Sequence, residues 1–399
     1  MKFLFLLFFS LSFLNASMPA KVVEVQQMFS ESKNCKACHL PIVKDWSESW
    51  HAKSHFEKDE YFQKSIKYYS RKTRKSLNGV KVECATCHNP RISVTSTGMD
   101  YEIDAVLGLD EGSKVNKALK NNALQEGINC VVCHNIDKIH TDRDSSFRGI
   151  NRITWTPSGV MSGPYQDAKS PYHKVEHRDF MDQNSNKLCF VCHANDKSVK
   201  NLVFTNMEKE YKSGEKMCVD CHMGPRKMGV ASTLKIENGK AKKRMVRKHG
   251  FKGGHYDEMI KDSLTLSVWQ ESQEISILLK NPQPHNIPSG FGSREILIEL
   301  QYKSGNKKVK NEVISLTRHY KDRRGKVTIP HLAKTQSKDM SIPAKGEKLL
   351  RVKKPLGASS VRVVVYYRLV NDEVRKLLKL KESIWRKKML IRSADLKLK

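Results

Sequence analysis

Five copies of the pattern Cys-x-x-Cys-His constrain this chain more than any other feature of its sequence. They lie at residues 35–39, 84–88, 130–134, 189–193 and 218–222, and they contain all ten cysteines of the 399 residues. The pattern is the attachment signature of c-type haem, because two thiols at this spacing reach two vinyl groups on one porphyrin edge while the next side chain binds the iron. A disulfide framework or a zinc site gives no reason for a histidine after every second cysteine. The sequence therefore predicts five covalently bound haem c groups.

The motifs assign most of the predicted haem ligands directly. The expected thioether-forming residues are the motif cysteines Cys35, Cys38, Cys84, Cys87, Cys130, Cys133, Cys189, Cys192, Cys218 and Cys221. The expected proximal iron ligands are the motif histidines His39, His88, His134, His193 and His222. Ten further histidines are available for the opposite faces of the five irons.

The first residues indicate export. A basic residue precedes an apolar run from Phe3 to Leu14, and small residues follow it, which is typical of a signal peptide covering residues 1–17. The apolar run is shorter than the roughly 20 residues that a transmembrane helix needs. We therefore expect a periplasmic protein without a transmembrane anchor in the mature chain.

The formal net charge of +30 restricts the partners. Nucleic acid would be the usual partner of so basic a chain, but export argues against it. The charge instead favours acidic redox proteins or membrane-bound, quinol-oxidising cytochromes. Peripheral contact with anionic lipid is a further expectation for the basic C-terminal segment.

The residue pattern changes once along the mature chain. Residues 18–260 are predicted to form a mainly α-helical, loop-rich pentahaem cytochrome domain, in which the haems supply much of the apolar core. From Ser263 onward apolar and polar residues alternate between Gly, Asn and Pro turns, which predicts six short strands and an immunoglobulin-like β-sandwich over residues 261–370. Residues 371–399 are predicted to form a basic terminal helix.

Two places outside the motifs indicate further iron ligands. His51 and His55 are four residues apart and would share one face of a predicted helix, so that one of them can reach a haem. His285 lies in NPQPHNIPSGFGS, where three prolines forbid a central strand. A loop of this kind between two good strands predicts that His285 extends from the β-region to an iron.

With these residues in view, the sequence resembles the cytochrome c-554 family, multihaem c-type cytochromes whose haem arrangement is shared with hydroxylamine oxidoreductase. The resemblance runs from about residue 33 to residue 370, and it departs from the family in its five motifs and in Ser289, where threonine is usual. It is carried by WSESWHA at 46–52, ECATCHNP at 83–90, EGINCVVCH at 126–134, GPYQDAKSPYH at 163–173, CVDCHM at 218–223, HGFKGGH at 249–255 and HNIPSGF at 285–291.

The resemblance implies distal histidine ligands for four irons, at His51, His173, His249 and His285. The fifth iron is left to His55, His140, His177 or His255, or it stays five-coordinate as in some members of the family. Among these candidates we favour His255, because Gly250, Gly253 and Gly254 would let the backbone approach a macrocycle closely.

Two functions are compatible with these residues. An exported electron carrier, with mostly bis-histidine haems between respiratory partners, is the leading hypothesis. The alternative is a multihaem oxidoreductase that acts on a small nitrogen or sulfur species at one five-coordinate haem.

Overall fold

The computed structural model of the protein describes residues 31–141, 148–157, 159–212, 214, 216–235 and 239–399. The predicted signal peptide, residues 1–17, lies outside this part of the chain. None of the helices within the described residues is long and apolar enough to cross a membrane.

Helices predominate before residue 260 and strands after it. The α-helices are Ser32–Ser47, Glu60–Thr73, Leu77–His88, Met99–Leu107, Lys114–Leu119, Cys130–His134, Ser185–His193, Met207–Glu210, Cys218–His222, Asp257–Ile260 and Asp372–Leu378. Short 3-10 helices cover Asn122–Glu126, Gly149–Arg152, Asp179–Met181, Pro330–Leu332 and Ser383–Trp385.

The strands of the N-terminal part form short two-stranded sheets between the helices. They are Ile136–Ile139 with Ile153–Trp155, Val160–Gly163 with Lys174–His177, Asn195–Lys197 with Val203–Asn206, and Lys227–Val230 with Lys243–Val246. All are antiparallel pairs except Val160–Gly163 with Lys174–His177, which is parallel.

Two antiparallel sheets make up the C-terminal part. The three-stranded sheet has the order Glu347–Lys353, Glu274–Lys280, Thr265–Glu271, and the four-stranded sheet has the order Lys307–Leu316, Glu295–Ser304, Ser360–Arg368, Met389–Lys397. A further small pair joins Tyr320–Lys321 to Thr335–Gln336. All six predicted strands are present, and the expected all-β region is confirmed. Its immunoglobulin-like arrangement stays a prediction.

The alternating pattern in these strands produces a single core between the sheets. Ile275, Ile277 and Leu279 from one sheet and Ile296 and Ile298 from the other are fully buried in the same cluster. Alternate side chains of a strand point to the same face, so this spacing buries one face of each sheet.

The last segment differs from its predicted helix. Within residues 371–399 only Asp372–Leu378 and the turn Ser383–Trp385 are helical, and Met389–Lys397 pairs with Ser360–Arg368 as an edge strand. The physical reason is the period of burial: Met389 and Ile391 are buried, whereas Leu390 between them is exposed. That alternation suits a strand and not a helix.

The helix Glu60–Thr73 joins the two parts of the molecule. Phe62 and Ile66 pack into the core of the N-terminal region, whereas Tyr68 belongs to the core between the β-sheets. Asp59 begins this helix, since its carboxylate accepts a hydrogen bond from Phe62 N at 3.0 Å. One amphipathic helix therefore contacts both cores.

Candidate functional site

All five Cys-x-x-Cys-His motifs lie at the C-terminal end of helical structure. Four helices end at the motif histidine itself: Leu77–His88, Cys130–His134, Ser185–His193 and Cys218–His222. In the first motif His39 breaks the helix Ser32–Ser47, with φ −113° and ψ 34°. Carbonyl groups at a helix C-terminus carry partial negative charge, which favours a cation there. The sequence thus places each motif histidine where a charged iron would be stabilised.

His222 of the fifth motif faces His285 from the β-region. Their ring centroids are 6.3 Å apart and their planes are inclined by 23°. Each ring has its Nδ1 beside a carbonyl oxygen, His222 at 2.5 Å from Lys252 O and His285 at 2.9 Å from Asn286 O. Asn281 holds the loop by donating to His285 O at 2.8 Å. The proline-rich loop therefore presents an imidazole to a motif histidine, as predicted for its position.

His134 of the third motif faces His249 in the same way. The centroids are 6.4 Å apart and the planes differ by 22°. His134 Nδ1 lies 2.7 Å from Ser162 O, and His249 Nδ1 lies 3.1 Å from Arg247 O. Burial lowers the pKa of His249 to about 4, with His134 lowering it further.

His193 of the fourth motif faces His51. Their centroids are 6.3 Å apart, and the planes are inclined by 34°. Burial lowers the pKa of His51 to about 3, and the neighbouring His193 and His222 lower it further. Both imidazoles are therefore neutral at neutral pH, which is the form that binds a metal ion.

These three pairs fit haem iron held between two imidazoles. A first-row metal ion binds an imidazole nitrogen at about 2 Å, and the nitrogen lies about 1 Å from the ring centre, so two axial rings have centres about 6 Å apart. A ring that donates Nδ1–H to a carbonyl keeps the Nε2 lone pair for the metal. The distances of all three pairs match the first requirement, and the Nδ1 partners of the pairs His222–His285 and His134–His249 match the second.

His39 of the first motif lies near His173. His39 Nδ1 is 2.6 Å from Ala231 O, again leaving Nε2 for a ligand. Burial lowers the pKa of His173, and the nearby His39 lowers it further. The structure thus places each of the four expected distal histidines near a motif histidine, three by ring contact and His173 by its electrostatic interaction with His39.

His88 of the second motif has a different environment. Phe62 stacks on its ring at 4.1 Å, and Ser54 Oγ lies 3.0 Å from its Nδ1. Among the ring contacts of the described residues, no histidine faces His88 at the separation of the other pairs. Desolvation lowers the pKa of His88 to about 4, and the neighbouring His331, His193 and Arg148 lower it further.

A charged cluster lies beside this second motif. The backbone of Gly149, at φ +57°, is so close to the motif that a Cβ there would meet Thr86 O at 2.0 Å. The preceding residue, Arg148, forms an ion pair with Asp196. Asp196 Oδ2 in turn lies 3.6 Å from His331 Nε2. Sequence reasoning missed Arg148 and His331, because neither lies in a motif and no local pattern connects them.

The four candidates for the fifth iron have other surroundings. His255 stacks on Trp50, with centroids 3.8 Å apart, and the described ring contacts do not bring it to a motif histidine. His55 is buried, and its Nδ1 accepts a hydrogen bond from Glu57 N. The neutral ring of His55 therefore carries its proton on Nε2. His140 Nε2 bonds to Thr154 Oγ1 at 2.7 Å, and His177 Nδ1 lies 3.9 Å from Asp179.

The motifs touch one another in an order that differs from their order in the chain. Thiols of different motifs are near enough to perturb each other's pKa: Cys35 of the first motif with Cys130 of the third, Cys87 of the second with Cys192 of the fourth, and Cys189 of the fourth with Cys218 of the fifth. Cys133 of the third motif also interacts electrostatically with Cys189 and Cys192 of the fourth. The fourth motif is thus the branching point, and the first and second motifs are two of the ends.

Comparison with known proteins agrees with this geometry. Residues 34–135 match the family model described as cytochrome c554 and c-prime. The penta-heme cytochrome c552 from Thermochromatium tepidum is similar in fold over nearly the whole chain, with a TM-score of 0.69, 19% identity, and coverage of 92% of this chain and 98% of that chain.

Other comparisons add no argument. A superoxide reductase matches 35% of this chain and 89% of its own with 10% identity, but the TM-score is only 0.16. The search of curated proteins found no match.

Proposed function

Because this chain is a multihaem c-type cytochrome of the cytochrome c554 family, whose model its residues 34–135 match, we propose that it is an exported pentahaem electron carrier. Haem c supplies one-electron Fe(III)/Fe(II) chemistry when it is bound.

The observation that carries the proposal is the set of facing histidine pairs. His222 with His285, His134 with His249, and His193 with His51 each have the spacing of two axial ligands. An iron with two histidine ligands has no position for a substrate, and histidine pairs favour low potentials, since methionine ligation raises them. Four such sites, with His39 and His173 as the fourth, support electron transfer and not the turnover of a substrate.

The motif contacts support a continuous path. Contact between thiols of different motifs requires the attached groups to be neighbours, because each thiol bonds the edge of its own porphyrin. The path proposed from these contacts runs from the first motif through the third to the fourth, and from there to the second and the fifth. Electrons could then enter and leave at different ends of one molecule.

The partners proposed for this carrier follow from its charge and its expected export. A net charge of +30 accelerates encounter with acidic redox proteins, in a way that added salt suppresses. A quinol-oxidising membrane cytochrome is the proposed donor in the periplasm.

A census of the irons tests the carrier function. Mass spectrometry of the denatured, fully matured protein should give the mass of five haems, and electron paramagnetic resonance should count low-spin and high-spin irons. We expect at least four low-spin irons. Two or more high-spin irons in the unmodified protein would contradict the proposed ligand pairs.

A second function is favoured by the surroundings of His88. The Arg148, Asp196 and His331 cluster beside the second motif offers a cation and a proton-bearing imidazole, which is what an oxidoreductase acting on a small nitrogen or sulfur oxyanion needs. Nitrite or carbon monoxide added to the reduced protein distinguishes the two functions. Binding to one high-spin iron that Arg148→Ala weakens would favour the enzyme, and no binding would favour the pure carrier.

A further inference from the structure

One helix carries an acidic and apolar surface on an otherwise basic protein. Residues 99–113 contain five acidic residues and no basic residue, although lysine and arginine outnumber acidic residues by 72 to 42 in the whole chain. The helix Met99–Leu107 exposes large apolar side chains along one face and Leu109 just beyond it. Their exposed fractions are 67% for Met99, 51% for Ile103, 79% for Val106, 64% for Leu107 and 70% for Leu109. We call residues 99–111 the acidic patch.

The acidic patch faces away from the interior of its own molecule. Tyr101 and Ala105, on the opposite face of the helix, pack into the core of the second-motif region. Glu102 accepts a hydrogen bond from Ser76 N at 2.7 Å, at the start of the helix Leu77–His88 that carries the second motif. The inner side of the helix is therefore packed and hydrogen-bonded to its own molecule. The apolar outer face has no partner among the described residues. A contiguous exposed apolar surface of this kind marks an interaction site.

A second exposed surface has the opposite charge. Residues 226–248 contain nine basic residues and one acidic residue. Within them Lys227–Val230 and Lys243–Val246 form an antiparallel pair in which Met228 and Met245 are direct cross-strand partners. These methionines are 64% and 45% exposed, and methionine is common at surfaces that bind other proteins. We call this strand pair the basic hairpin.

The basic hairpin lies beside the first motif. The chain that leaves its first strand provides Ala231 O as the partner of His39 Nδ1 at 2.6 Å, and Thr233 N donates to Cys38 O at 2.7 Å. The acidic patch contacts the first turn of the helix Leu77–His88, whose other end carries the second motif. In the order of motif contacts the first motif touches the third and the second touches the fourth, so the two surfaces lie at different ends of that order.

We propose that copies of this protein associate head to tail, with the acidic patch of one copy against the basic hairpin of the next. The two surfaces are complementary in charge, and each has exposed apolar side chains at its centre, which is the composition of a protein interface. They are different surfaces of one chain, so the contact is heterologous and generates rings or open chains of copies.

The charges decide against other occupants of the acidic patch. An anionic lipid surface would repel its five carboxylates, and the acidic redox partners that suit the rest of the protein would be repelled as well. A second copy of this chain is a strongly basic partner with an apolar centre. Head-to-tail contact also brings the helix that carries the second motif of one copy towards the first motif of the next. This last consequence rests on the proposed electron-carrier function, whereas the association does not.

Sedimentation velocity of the haem-loaded protein tests the association. We expect wild-type protein to form oligomers whose mass rises with concentration and falls with added salt. Val106→Lys in the acidic patch and Met228→Glu in the basic hairpin should each weaken the association roughly tenfold or more, because each places like charges together in the contact. Leu356→Lys is the matched control, since Leu356 is 96% exposed in the β-region and lies outside both surfaces.

A mixture of the two interface variants gives the sharpest result. Val106→Lys protein keeps its basic hairpin and Met228→Glu protein keeps its acidic patch, so a 1:1 mixture should form at least a dimer through these two unaltered surfaces. Recovery of this dimer also shows that both variants are folded. Monomeric wild-type protein at all concentrations would overturn the proposal. So would oligomers that only Val106→Lys disrupts, since that result means that the acidic patch binds a surface other than the basic hairpin.

Electron exchange provides an independent measurement. Reduced and oxidised wild-type protein, mixed by stopped flow, should exchange electrons faster than the two variants do with themselves. If the oligomers form but exchange is no faster than in the variants, the head-to-tail contact stands and the proposed relay fails.

Discussion

His222 and His285 face each other with ring centroids 6.3 Å apart, although one belongs to a haem attachment motif and the other to a loop of the β-region. The loop is held by Asn281, which donates to His285 O, Ile342 O and Pro343 O. The β-region is thus fixed to the cytochrome region through a predicted iron site, in addition to the core that both share along the helix Glu60–Thr73.

Replacing His285 tests this link. In His285→Ala protein the haem count should be unchanged, because both thioether-forming cysteines, Cys218 and Cys221, remain. One iron should change from low spin to high spin, which absorption and electron paramagnetic resonance would detect. His319→Ala is the control, since His319 is a half-exposed histidine of the β-region that pairs with Glu373 at 2.7 Å. Unchanged spectra in both variants would show that His285 is not a ligand.

His255 gives a test of the fifth ligand. Its ring stacks on Trp50 at 3.8 Å, and burial lowers its pKa to about 3. From these contacts we expect His255→Phe to keep every iron in its original spin state and to preserve the stacking on Trp50. A new high-spin iron in this variant would instead establish His255 as the ligand that the glycine-rich segment predicts.

The sequence predicts the haem attachment sites better than the pairing of the histidine ligands, because the attachment sites are local in sequence and the pairs are not. Attachment needs only five consecutive residues, so the motifs are visible directly, and the period-two alternation of Ile275, Ile277 and Leu279 identifies a strand locally. Facing histidines such as His134 and His249 depend on tertiary structure. The family resemblance implies His249 as a distal ligand but does not identify the motif histidine that it faces, and no local pattern identifies His331 beside the second motif.

The C-terminal segment shows a second limit. Residues 371–399 have the charge and leucine content of an amphipathic helix, and a helix does form over Asp372–Leu378. The remainder becomes a strand because an open edge of the sheet, Ser360–Arg368, is available for pairing. Pairing with the sheet therefore outweighs the local preference of these residues for a helix, and the sequence alone does not show that this sheet edge is available.

Neighbouring residues of that strand provide a prediction about stability. Ile391 is 1% exposed between the sheets, whereas Leu390 is 48% exposed. Ile391→Ala should lower the free energy of unfolding by about 2–4 kcal/mol, because it leaves a cavity in the core. Leu390→Ala should lower it by less than about 1 kcal/mol. Chemical denaturation of the haem-loaded protein measures both, and equal losses would contradict the strand assignment.

Asp59 leads to a prediction about pH. This residue begins the helix that contacts both cores, and burial raises the pKa of its carboxyl to about 6 from an ordinary value of 3.8, with Glu382 and Glu60 nearby raising it further. Between these two values the folded protein retains a proton that the unfolded chain has lost. The contribution of Asp59 to stability is therefore greatest below pH 3.8, declines as the pH rises to about 6, and is constant above it.

Asp59→Asn should remove this dependence while keeping the helix cap, because asparagine also accepts a hydrogen bond from Phe62 N. At pH 7 the variant should be more stable than the wild type by roughly 1–2 kcal/mol, and near pH 4 the difference should be small. Denaturation at the two pH values measures the effect. Asp395→Asn is the control, since that side chain is 73% exposed on the last strand and should show no gain at pH 7. A variant that is less stable than the wild type at pH 7 would mean that the ionised carboxylate strengthens the cap by more than its burial costs.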